Sequence, residues 1–242
     1  MKAIIYSIVG IFALVGYGMS HLPAEMMYEI GSIIAVCIIA LPAFYGMWRA
    51  YGMRGIWVMV VLGIFSLSIE TIGLHTGFPY SSFEYVAEFG YRLFETTPWT
   101  VFVAWSPLVI GAYALSHRWF QKSWSRLLVY LGLLVSFDLV LDPGAVAQGL
   151  WEYSGGGAWY GVPIENFLGW IFSGVIAYGI IQLMTRNVPQ QKFNFYLIIP
   201  ALATLALWSG VTFGYGIILP AVTGILLLII ILYGIHKKPS RS

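Results

Sequence analysis

The chain has 242 residues, 60% of them hydrophobic and only 9% charged, with a formal net charge of +2. A mean hydropathy of +0.83 excludes an ordinary soluble domain, and Lys and Arg residues scattered singly exclude a basic nucleic-acid surface. The lone cysteine, Cys37, sits in an apolar run, so an internal disulfide and a cysteine-built metal site are excluded too.

Apolar runs of roughly 17–25 residues are long enough to cross about 30 Å of hydrocarbon as helices. Eight are predicted, at about 3–19, 30–48, 55–75, 98–116, 124–141, 164–184, 194–210 and 214–235. The first follows Lys2 and has the shape of a signal peptide. It is read as a retained span, because its removal leaves no positive charge ahead of the next. The last two are joined by the short Ser209–Gly216 connection, where a re-entrant element would give seven crossings instead of eight. No linker, low-complexity stretch or long-period repeat interrupts the chain, so residues 1–242 read as one integral-membrane domain. The expected fold is all-α, a polytopic helical bundle.

Charge orients the bundle. Lys2 precedes the first span, and Arg49 and Arg54 join the second to the third. Arg118, Lys122 and Arg126 flank the next even gap, Arg186 and Lys192 the sixth, and Lys237, Lys238 and Arg241 form the tail. The intervening gaps hold only Arg92. Basic residues concentrate on the cytoplasmic side, so eight spans put both termini there, in a multi-pass protein of the cell membrane. Seven would leave the basic tail outside. The other side is acidic, with Glu25, Glu29, Glu84, Glu88, Glu95, Glu152 and Glu165 in or beside its loops.

Three carboxyls lie deeper or at span ends. Glu70 falls about five residues before the outer end of the third span, some 7–8 Å below it at ~1.5 Å per residue. Asp138 has a similar depth in the fifth span, and Asp142 follows one turn later on the same face, just before Pro143. A carboxyl inside a membrane is expensive and marks either function or a helix-stitching hydrogen bond. Two at matched depth favour a shared polar cavity, and burial favours the protonated form that a general acid needs. Ser66 lies one turn below Glu70, and Thr71 and His75 form another i, i+4 pair.

Leu141-Asp142-Pro143-Gly144 is expected to stop the fifth helix. An aromatic connection follows, through Trp151, Tyr153, Trp159 and Tyr160, to Asn166 at the head of the sixth span. Interfacial Trp and Tyr account for part of it, but not for Asn166 with Gly169 and Ser173 beneath. Those residues suit hydrogen bonding to a substrate or close helix approach. Histidines are too sparse for a metal centre, and no metal is expected. No Lys lies within a span for a Schiff base, and no nucleophile elbow occurs. The Ser154–Gly157 run lacks a phosphate loop's Lys and reads as a hinge.

Two stretches together carry a family resemblance. One is Glu70-Thr71-Ile72-Gly73, Thr76-Gly77-Phe78-Pro79-Tyr80, Tyr85, Pro98 and Trp105. The other is Leu141-Asp142-Pro143, Gly149-Leu150-Trp151, Tyr160-Gly161-Val162-Pro163 and Asn166-Phe167-Leu168-Gly169-Trp170. Over residues 66 to 175 the chain resembles the integral-membrane carotenoid biosynthesis family that includes the carotenoid 1,2-hydratases. It departs at Tyr153, where a second Trp is expected, and at Glu165, a position that tolerates other residues. The resemblance implies addition of water to the terminal double bond of an acyclic carotenoid end group, without a cofactor. It implies Glu70 or Asp138 as proton donor, and Asp142 as cation-stabilising carboxylate or base. His75, Tyr80, Trp151, Tyr160, Asn166 and Trp170 would line the end-group pocket. The partners would be the acyclic carotenoid, membrane lipid and water, with no nucleic acid and the oligomeric state open. A membrane cyclase using the same cation and a proton-coupled transporter are the alternatives, and a non-catalytic pigment-binding scaffold is a further one.

Overall fold

The computed structural model describes residues 2–22, 29–188 and 194–236. Of the charged residues used above, Glu25, Lys192, Lys237, Lys238 and Arg241 lie outside the described residues, as do the side chains of Lys2 and Glu29. Eight α-helices occur among the described residues: α1 (Lys2–Met19), α2 (Glu29–Tyr51), α3 (Met53–Thr76), α4 (Val101–Trp119), α5 (Ser123–Ala147), α6 (Ile164–Thr185), α7 (Ile199–Gly214) and α8 (Ile218–His236). Six of them, α2, α3 and α5 to α8, are long and apolar enough to cross a membrane, which makes this a multi-pass membrane protein.

The helix at the centre is not among those six. Every residue of α4 from Trp105 to Ser116 is buried, and α4 touches α2, α3, α5, α6, α7 and α8. A helix enclosed by other helices need not be as apolar as one facing lipid. At the periphery α1 packs mainly on α7, through small residues that bring the backbones together. A Cβ at Gly16 would run into the Leu207 carbonyl, and one at Gly210 into the Ala13 carbonyl.

Four of the differences from the expected boundaries have a clear local reason. Helix α4 starts late because Thr97–Pro98 is used as a strand, β3, pairing with Arg92–Leu93, β2. Helix α7 starts late at a proline-led first turn, Pro200, after a 3-10 turn at Phe195–Leu197 whose entry is capped by Asn194. It then runs to Gly214, and the link to α8 is Tyr215–Ile217, so α7 and α8 are two helices packed on each other rather than one element.

The fourth difference is a correction: Pro143 does not stop α5, which continues to Ala147. Proline removes the N–H that would bond the Leu139 carbonyl one turn back. That carbonyl instead accepts the indole Nε1–H of Trp159 at 2.9 Å, so the helix survives its proline and keeps Asp138 and Asp142 in helical register.

Two further strands, β1 (Phe83–Tyr85) and β4 (Trp151–Tyr153), pair antiparallel in the register Phe83↔Tyr153, Glu84↔Glu152 and Tyr85↔Trp151. Strand side chains alternate between faces. One face of this ribbon therefore carries four aromatic rings, while Glu84 and Glu152 project into solvent on the other.

Candidate active site

The carboxyl cluster is built on α5 and completed by α6. Asp138 and Asp142, one turn apart, are 1% and 4% exposed. Asn166, in the first turn of α6, is equally buried, and its amide Nδ2 donates to Oδ2 of Asp138 at 2.8 Å and to Oδ2 of Asp142 at 2.6 Å. The same Asp142 oxygen accepts the Tyr153 hydroxyl at 2.7 Å. One amide thus bridges two acids, and the ribbon supplies a third donor from above.

Glu70 forms a second, smaller unit. Its Oε1 accepts the Tyr85 hydroxyl at 2.5 Å, and the backbone carbonyl of Tyr85 is held by Arg92 at 3.2 Å. Arg92, the outlying base of the charge pattern, also forms an ion pair with Glu88 at 3.1 Å. Tyr85 and Tyr153 lie outside the helices, and burial, then the adjacent carboxyl, pushes both hydroxyls well above the ordinary phenol range. Both therefore remain hydrogen-bond donors throughout the physiological pH range.

These two units face one cavity of about 500 Å³ with mostly apolar walls. Glu70, Asp142, Asn166, Tyr80, Trp151 and Trp170 all line it, as do Tyr85 and Tyr153. Trp170 packs beside Trp105 with ring centroids 5.9 Å apart. Away from the acids the cavity extends between α1 and α2, where Phe12, Val15, Val36 and Ile39 form its walls. Tyr80 reaches it because the loop after α3 lies directly on α6. A Cβ at Gly169 would sit 2.5 Å from the Pro79 carbonyl oxygen and from the Tyr80 ring.

Three residues singled out in the sequence stand elsewhere. Asp138 is behind Asn166 and does not line the cavity. His75 is exposed, and its hydrogen-bond contact among the described residues is Thr96, at 3.4 Å. Tyr160 is at the tip of the tight Trp159–Val162 turn, 41% exposed and with φ of 52°. Ser66 donates to the carbonyls of Gly63 and Val101 and not to Glu70. Thr71 bonds Thr97 at 2.7 Å on the side of the β2–β3 turn.

The roles of Tyr85 and Tyr153 as donors to the acids were not read from the sequence, although a signal exists. Phe83-Glu84-Tyr85 and Trp151-Glu152-Tyr153 share one aromatic-acid-aromatic alternation, the pattern of a half-buried strand. Among the described residues no group of three or more His, Cys, Asp or Glu side chains is arranged to hold a metal ion.

The chain that builds this membrane bundle also has relatives in sequence. The family of carotenoid biosynthesis proteins matches residues 27–231, and the chain belongs to that family. The bisanhydrobacterioruberin hydratase of Haloarcula japonica is 33% identical over 181 residues, covering 72% of this chain. The match spans 61% of that relative's own length. No solved structure matches the chain.

Proposed function

We propose that this chain adds water across the terminal carbon–carbon double bond of an acyclic carotenoid end group. The observation that carries this reading is the Asp138–Asn166–Asp142 cluster at the wall of an apolar, aromatic cavity that Glu70 also lines. Family membership supports a carotenoid substrate, and the name of the archaeal relative supports hydration.

Glu70 is the proton donor. It lends Oε1 to Tyr85, so Oε2 is open to carry a proton toward the alkene. The π electrons form the new C–H bond at the less substituted carbon, and the other carbon becomes a tertiary cation. The faces of Trp151 and Trp170 and the carboxylate of Asp142 stabilise that charge away from bulk water. Water adds to the cation, and the oxonium loses its proton to Asp142. That proton returns through water to Glu70 before the next turnover.

Asp142 is suited to the charged role because two donors, Tyr153 and Asn166, converge on one of its oxygens. Asp138 is a positioning residue that acts through Asn166. A buried carboxyl pair is most stable when it shares one proton, and Asp138 holds it. The same reading has eight crossings with both termini cytoplasmic and the acids toward the outer surface, supported by the segregation of basic residues. The polyene beyond the end group lies between α1 and α2 and continues into lipid.

The test is expression of the full chain in a host that accumulates acyclic carotenoids, with mass analysis of the extracted pigments. The expected product is heavier by one water, and it disappears in Glu70→Gln and Asp142→Asn at unchanged membrane levels. A product of unchanged mass would make the protein a cyclase. Normal turnover in Glu70→Gln, Asp138→Asn and Asp142→Asn alike would sink the assignment of acids.

A further inference from the structure

At the basic end of the bundle is a second pocket, of about 260 Å³, that shares no lining residue with the carboxyl cavity. Tyr51 of α2, His117 and Arg118 of α4, Arg126 of α5, Gln182 of α6 and Arg186 just beyond α6 form its polar wall. No Asp or Glu is among the described residues that line it. Along α4 the distance from Trp105 in the first cavity to His117 in the second is twelve residues, or roughly 18 Å at 1.5 Å per residue.

The wall is set by its own hydrogen bonds. Gln182 Nε2 donates to the Tyr178 hydroxyl at 3.0 Å and lies 3.2 Å from His117 Nε2. His117 Nδ1 lies 3.0 Å from the Tyr113 carbonyl. One assignment satisfies all three contacts: the proton is on Nδ1 and is donated to that carbonyl, and Gln182 donates to Nε2. Arg126 is anchored through Nε to the Phe120 carbonyl at 2.8 Å and through Nη2 to Gln121 at 3.3 Å. Both acceptors are neutral, so they orient the guanidinium without compensating its charge. Among the described residues no carboxylate lies within ion-pair distance of Arg126 or Arg186. An arginine at a span end ordinarily extends outward into the headgroups. Here Arg126 of α5, part-buried, and Arg186 just past α6, exposed, line one concavity together with an amide and a phenol.

We propose that this pocket binds a phosphate-bearing anion, either the headgroup phosphate of an anionic membrane lipid or a free phosphate ester. Arg126 and Arg186 contact the phosphate oxygens, and Gln182 and Tyr51 complete the wall. Guanidinium groups match phosphate geometry through paired N–H donors, and basic pockets between helices at a membrane face suit lipid phosphates. The site is independent of the carotenoid chemistry at the opposite end.

The test uses the purified full chain in neutral detergent, with dihexanoylphosphatidylglycerol as the lipid probe and inorganic phosphate and glycerol 3-phosphate as the free probes. Binding is read by calorimetry and by retained mass in native mass spectrometry. Saturable one-site binding is expected, weakened at least ten-fold in Arg126→Gln/Arg186→Gln and unchanged in Arg49→Gln/Arg54→Gln, which removes two basic-end charges outside the pocket. Binding of the lipid probe alone identifies a headgroup site, and binding of the free probes as well identifies a phosphate-ester site. Where the glutamine pair fails to fold, Arg126→Lys/Arg186→Lys keeps the charge, loses the paired donors, and is expected to weaken binding several-fold. Equal loss in both arginine pairs, or no saturable binding of any probe by the native protein, overturns the proposal.

Discussion

Asn166 has two amide hydrogens, and both are committed to carboxyl oxygens. Replacing it with Leu leaves two buried acids facing each other without a bridge, at an expected cost of ~1–3 kcal/mol in stability. Thermal unfolding of the detergent-purified variant measures that cost, and pigment analysis should show at least ten-fold less hydrated product. Tyr153→Phe removes one donor from Asp142, which keeps the Asn166 donor. Loss of one hydrogen bond to a charged group, about 1.5–3 kcal/mol, predicts a ten- to hundred-fold fall in turnover with the protein still folded. The same phenol makes a pH prediction. Its pKa in the folded protein is raised by burial and by Asp142, so its contribution to stability is fully present below the unfolded-state value near 10. It is lost as pH rises beyond that value, because the unfolded chain releases a proton that the folded chain retains. Between pH 9 and pH 11 the unfolding temperature should therefore fall less steeply in Tyr153→Phe than in the native protein.

Helix α5 and the β1–β4 ribbon are the elements that shape the site. Trp159→Phe keeps the aromatic ring but leaves the Leu139 carbonyl, freed by Pro143, without its donor. The expected loss is ~1–3 kcal/mol, with a drop in turnover because Asp142 lies within the weakened turn. A Pro143→Ala change made on top of Trp159→Phe restores a backbone donor and should recover much of the stability. On the ribbon, Glu84 and Glu152 face each other directly, and like charges at such positions are destabilising. Glu84→Lys turns the pair attractive and should stabilise the ribbon by ~0.2–1 kcal/mol, read as slower amide exchange at Val86 and Ser154, whose N–H groups donate across the ribbon to the Leu150 and Ser82 carbonyls. At this scale the helices were legible, because an apolar run of the right length leaves little choice in hydrocarbon. The ribbon was not, since each strand is three residues long and its partner lies nearly seventy residues away. The continuation of α5 through Pro143 was misread for a similar reason, as the compensating indole comes from a separate turn of the chain.

In the whole molecule the cavity reaches from the acids to the gap between α1 and α2. Ala104 on α4 lines the cavity and is an exposed residue. Ala104→Trp should therefore block end-group entry and reduce hydrated product severely, while leaving the unfolding temperature close to native. Gly16→Leu acts differently. It forces α1 away from the Leu207 backbone and should lower stability and turnover together.

Sequence alone determined that this chain lives in a membrane, roughly where its helices run, and that its acids gather toward one face. Those properties are sums of hydropathy and charge over local windows, so no tertiary contact is needed to read them. Glu70, Asp138 and Asp142 were also legible as candidates, since a carboxyl within an apolar run stands out by its cost. Only the tertiary structure decided their partners and their access to the cavity. Asn166 reaches Asp138 across 28 residues and Tyr85 reaches Glu70 across 15, and such pairings follow from helix packing rather than local pattern. The same packing seats Asp138 behind Asn166 and leaves His75 and Tyr160 outside the cavity. A hydrogen bond is set by a few tenths of an ångström, a precision that only the assembled bundle provides.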